Sequence, residues 1–77
     1  MNNLRRKQLE TIKDQIESLR DKLENIQRDE ADCRDNTPEN MQGGERYERC
    51  DQIVYYLEVA VGDLEQCMEN IQGAIDE

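Results

Sequence analysis

The sequence predicts an all-α fold: an antiparallel two-helix hairpin of coiled-coil type that dimerises into a four-helix bundle. Three observations point there. Two long segments space their apolar residues alternately three and four apart. The only proline and a Gly-Gly pair fall together between those segments. And the two apolar seams meet residue by residue when the chain is folded at that interruption.

The first helix is expected over 3–33. Leu9, Ile12, Ile16, Leu19, Leu23 and Ile26 form its seam, with a positions at 9, 16 and 23 and d positions at 12, 19 and 26. The frame continues into Glu30 and Cys33, so the seam weakens toward the loop. The second helix is expected over 45–76. Its a positions are Tyr47, Val54, Val61, Met68 and Ile75, and its d positions are Cys50, Leu57, Leu64 and Ile71. Antiparallel packing requires facing residues to have numbers of constant sum, and a sum of 80 sets each a layer of one helix against a d layer of the other. The midpoint of that register is residue 40, inside the turn-rich stretch, so local and global signals agree.

The loop is expected over 34–44. Thr37, Pro38 and Glu39 have the order of a helix start, with a hydroxyl cap, proline at the first helical position and an acid in the first turn. Asn40 continues that turn and Met41 is expected to fold back over the end of the hairpin. Gly43 and Gly44 then supply the backbone freedom for reversal. A calcium loop is the competing reading. It needs glycine at the sixth position, and a loop begun at Asp35 has Asn40 there.

The second helix carries more apolar surface than the first can cover. Ile53, Ala60, Cys67 and Ala74 recur every seven residues at its g position, whereas the first helix has Gln8, Gln15, Lys22 and Asp29 there. A wide stripe in water would be an exposed patch. Self-association through Ile53, Ala60, Cys67 and Ala74 removes it, giving a homodimer; another protein's helix in the same groove is the alternative. Tyr55, Tyr56 and Val59 lie off the seam on an outer face, which together with the loop tip is the expected partner surface; packing along the bundle flank is the alternative for the three residues.

Charge and composition narrow the function. The chain has 77 residues and a formal net charge of -9. Residues 1–28 carry seven basic and five acidic side chains, and residues 29–77 carry three and fourteen. The acidic part repels phosphate backbones, and Arg5, Arg6 and Lys7 are too few to form a nucleic-acid patch. No apolar run reaches the ~20 residues of a membrane span, and the first residues lack the apolar segment of a secretory signal, so a cytoplasmic setting is expected. Three cysteines there read as reduced thiols and as small buried hydrophobes. Histidine is absent, no Cys-x-x-Cys pair or phosphate loop occurs, and no catalytic, cofactor-binding or metal-binding residue is assigned. The expectation is a non-enzymatic interaction or structural protein. An acidic mimic of DNA, occupying a nucleic-acid-binding protein, is the alternative.

The loop also supports a comparison. Asp35, Asn36, Pro38, Glu39, Asn40, Gln42, Glu45, Arg46 and Tyr47 fit the pattern D-N-x-P-E-N-L-Q-x-S-E-R-Y. In this stretch the chain resembles short uncharacterised helical-hairpin proteins of Gram-positive bacteria and their phages or mobile elements. Met41 stands for the leucine and Gly44 for the serine. The resemblance implies two heptad helices about this loop and transfers no activity and no functional residue.

Overall fold

The computed structural model describes all 77 residues as a helical hairpin 59 Å long and 15 by 12 Å across. Helix α1 spans Asn3–Asp35 and helix α2 spans Glu45–Asp76, and the two pack against each other along their length. A single 3-10 turn, Glu39–Met41, lies between them. The last residue of α1 and the first of α2 are related by the same sum of 80 that the heptads give.

Each end of α1 is satisfied locally. Asn2 caps its N-terminus, its side-chain carbonyl accepting from the Arg5 amide at 2.8 Å. At the other end the Asn36 amide reaches back to Asp32 and the Thr37 amide to Arg34. The helix therefore runs two residues past the expected end at 33. Helix α2 starts at Gly44 without a side-chain cap, with Glu45 and Glu48 in its first turn, where carboxylates meet the positive helix end.

The loop differs in detail from the expected helix start. Thr37 does not cap the short turn: its hydroxyl donates to the Cys33 carbonyl, closing α1 instead. The 3-10 turn opens at Pro38 with no side-chain cap. Met41 borders the end of the hairpin beside Cys33 and Tyr47 but stays 58% exposed, so it covers that end only in part. Gly43 and Gly44 lie between the short turn and α2, where reversal is expected, and neither has positive φ. Gly44 matters for its missing side chain. A Cβ there would sit 3.2 Å from the Met41 carbonyl oxygen, which accepts from the Gly44 amide.

The packing departs from the symmetric seam in one respect. Helix α2 presents its a and d rows as expected, and Val54 and Val61 are the only buried residues of the chain, at 7% and 8% exposure. Helix α1 presents its a row, Leu9, Ile16, Leu23 and Glu30, together with its e row, Arg6, Lys13, Arg20, Gln27 and Arg34; both rows are half-buried. Its d row turns outward, with Ile12, Leu19 and Ile26 at 44%, 53% and 52% exposure. Alternation of a and d layers thus fails on the α1 side.

The rotation of α1 goes with complementary charge along one flank. The α2 e row is Asp51, Glu58, Glu65 and Gln72. In an antiparallel pair the two e rows share a flank, where interhelical ion pairs form. Arg34 Nη1 donates to Asp51 Oδ1 at 2.8 Å, Arg20 lies 3.9 Å from Glu65, and Lys13 Nζ donates to Gln72 Oε1. Arg6 Nε adds a bond to the Ile75 carbonyl at 3.2 Å. With the e row of α1 turned to α2, its d row lies off the interface.

Candidate interaction site

Rolling α1 creates a surface that the apolar spacing of neither helix specifies alone. The e rows occupy one flank, so the α1 d row and the α2 g row share the other. Ile12, Leu19 and Ile26 stand there beside Ile53, Ala60, Cys67 and Ala74. Ile53 is exposed, whereas Ala60, Cys67 and Ala74 are half-buried against the hairpin. The g row is therefore less open than its spacing implies. The larger share of exposed aliphatic surface on this flank comes from α1. Reading the sequence for wide and narrow stripes misses that contribution. The available signal was the charge at the e positions, basic on α1 and acidic on α2.

The outer face of α2 holds the second expected surface. Tyr55, Tyr56 and Val59 are all exposed, and the two rings meet edge to face with centroids 5.7 Å apart. These residues lie ten or more positions beyond the start of α2, about 15 Å from the loop at 1.5 Å per residue. They form a surface separate from the tip.

The tip has a shallow concavity of about 590 Å³, lined among others by Cys33, Asn36, Pro38, Asn40, Arg46 and Tyr47. Most of the sequence-singled loop residues border it, including Thr37, Met41 and Gly44, but Glu39 and Gly43 do not. Gln42 braces it from within through a 3.4 Å bond to the Thr37 carbonyl.

The cysteines are less buried than expected. Cys33 is exposed, and Cys50 and Cys67 are half-buried. Desolvation pushes the Cys50 thiol above its ordinary value, and Cys33 and Glu30 add to the shift while Arg46 opposes it. Cys33 and Cys50 are thus electrostatic neighbours across the tip although one helical layer separates them in the a/d register. Nearby acids hold the guanidinium groups of Arg20 and Arg34 more firmly protonated, Asp21 foremost for Arg20 and Asp35 with Asp51 for Arg34.

No three side chains among Cys, Asp and Glu converge on a point where a metal ion could sit. No helix is long and apolar enough to cross a membrane. Comparison with protein-family models, with curated proteins and with solved structures returned no match.

Proposed function

We propose that the chain is a non-catalytic protein-interaction module whose working surface is the apolar flank of the hairpin, and that it acts in the cytoplasm, where its thiols stay reduced. The observation that carries this reading is the exposed row Ile12, Leu19 and Ile26 beside Ile53, on a chain that buries only two residues. Large aliphatic side chains in a line along a 59 Å rod form a surface suited to another helix, which would read them at helical spacing. Tyr55, Tyr56 and Val59 offer a smaller second surface on the outside of α2.

The acidic-mimic reading draws on the same net charge of -9. It needs an unbroken row of free carboxylates spaced like phosphates. On the e flank Asp51 and Glu65 already face Arg34 and Arg20, which leaves that row interrupted. The apolar flank is therefore favoured.

The test compares tagged wild type with Leu19→Glu and with Tyr55→Ala/Tyr56→Ala for retention of binding proteins. Loss with Leu19→Glu at unchanged helicity is expected. Retention that survives Leu19→Glu but collapses between low and high salt would reject the apolar flank and favour the acidic mimic.

A further inference from the structure

We infer that the apolar flank is covered by a second copy of the same chain, stacked tip to tail, with the two-fold axis passing at Leu19 and Ala60. This rests on the interaction reading given above and names its partner.

Two area arguments call for an occupant of this size. A compact monomer of 9.1 kDa is expected to expose about 4,900 Å², whereas this chain exposes 5897 Å², an excess of about 1,000 Å² that its elongated shape and its open flank share. The broad side of the hairpin, 59 by 15 Å, offers about 900 Å². Both figures match the roughly 800 Å² that each partner contributes to a stable interface. One more hairpin, laid lengthwise, covers that side completely. Two buried residues are also a thin core for a chain of this length, and small scaffolds commonly gain the missing burial by oligomerising.

Symmetry and residue size suit a copy of the same chain. Leu19 is the central residue of Asn3–Asp35, and Ala60 lies at the middle of Glu45–Asp76. A two-fold axis across the flank sets Leu19 against the partner's Leu19, Ile12 against the partner's Ile26, Ala60 against the partner's Ala60, and Ile53 against the partner's Cys67. Large aliphatic residues then meet along the α1 pair. The α2 pair meets through small residues at its centre, which permits close approach of the helices.

Charge selects the direction. Residues 28–52, the tip end, carry four basic and eight acidic side chains. The open end, residues 1–13 with 67–77, carries four of each, including Arg5, Arg6 and Lys7. Stacking in the same direction brings two acidic tips together. Stacking in reverse brings each acidic tip to an end of balanced charge that holds the basic cluster, which lowers the repulsion.

The experiment is solution mass by light scattering over a wide concentration range, on wild type, Leu19→Glu and Leu4→Glu. Leu4 is exposed and off the flank, so it controls for added charge. Wild type and Leu4→Glu are expected at twice 9.1 kDa, and Leu19→Glu at 9.1 kDa. A second readout needs no disruptive charge. Leu19→Cys exposed to oxidised glutathione should give a covalent dimer, with peptide mapping locating a symmetric link at position 19. A dimer indifferent to Leu19→Glu overturns the proposed face. A dimer with no symmetric link overturns the reversed arrangement. Wild type monomeric throughout overturns the second copy. In that last case uptake of an apolar fluorescent dye, lost in Leu19→Glu, leaves the interaction reading standing, and absence of uptake removes both.

Discussion

Burial differs sharply among side chains of similar character, and the consequences are measurable one residue at a time. Val61 is almost fully covered, so Val61→Ala removes buried carbon worth about 1.5 kcal/mol by transfer energy alone. Urea unfolding should show that loss at unchanged slope. Leu19→Ala removes more carbon from a position that the isolated hairpin leaves half in water. It should cost less than Val61→Ala if the flank stays open, and more if a second copy covers it. The thiols give another residue-level ordering. Cys33 is exposed, whereas Cys50 is half-buried with its thiol pushed up, so an alkylating reagent at neutral pH should modify Cys33 first and Cys50 more slowly. A thiol whose pKa is raised on folding favours the folded chain while it is protonated. That contribution is present below the ordinary thiol value of 9.0 and is lost as pH rises through the folded value. Stability should therefore fall in the alkaline range, and Cys50→Ala should flatten that part of the pH profile.

Within the helices, rotation about the long axis is the property that matters, and it follows the charged e rows rather than a symmetric a/d seam. Arg20 and Arg34 reach across to Glu65 and Asp51, and the α1 d row faces away from that flank. Arg20→Glu should loosen the hairpin. Adding Glu65→Arg should restore part of the loss, and the restored part should shrink as salt is raised, as a thermal melt series would show. The heptads made both helices, their antiparallel order and their alignment readable, because apolar periodicity and the position of Pro38 are direct consequences of those features. The roll of α1 was not readable from the same residues. Leu9 and Ile12 carry equal apolar weight in a heptad count, which does not say which of the two faces α2. The flank that this roll creates was therefore half visible: Ile53, Ala60, Cys67 and Ala74 stood out by spacing, whereas Ile12, Leu19 and Ile26 had been assigned to the interior. The loop was legible as a hinge but not in detail. Thr37 can cap forward or backward with the same hydroxyl, and local composition does not decide between them.

At the scale of the molecule, association and folding are coupled by mass action. If two hairpins share their apolar flanks, the melting temperature should rise with protein concentration, and Leu19→Glu should melt lower and independently of concentration. The single connection at residues 36–44 has a further effect, on the order in which the chain closes. Contacts beside the tip, such as Arg34 with Asp51, join residues 17 apart, whereas Arg6 and Ile75 are 69 apart. The entropy of bringing ends together grows with the intervening length, so the first rungs are the cheapest to form. The hairpin should then behave as a zipper with one closed end. Amide hydrogen exchange on the monomeric Leu19→Glu variant should show protection that declines along each helix with distance from the tip. Destabilising substitutions near Arg34 and Asp51 should slow refolding, and those near Arg6 and Ile75 should mainly speed unfolding. The turn residues from Asp35 to Tyr47, beyond shaping a hinge, would set the rate at which the whole rod comes into being.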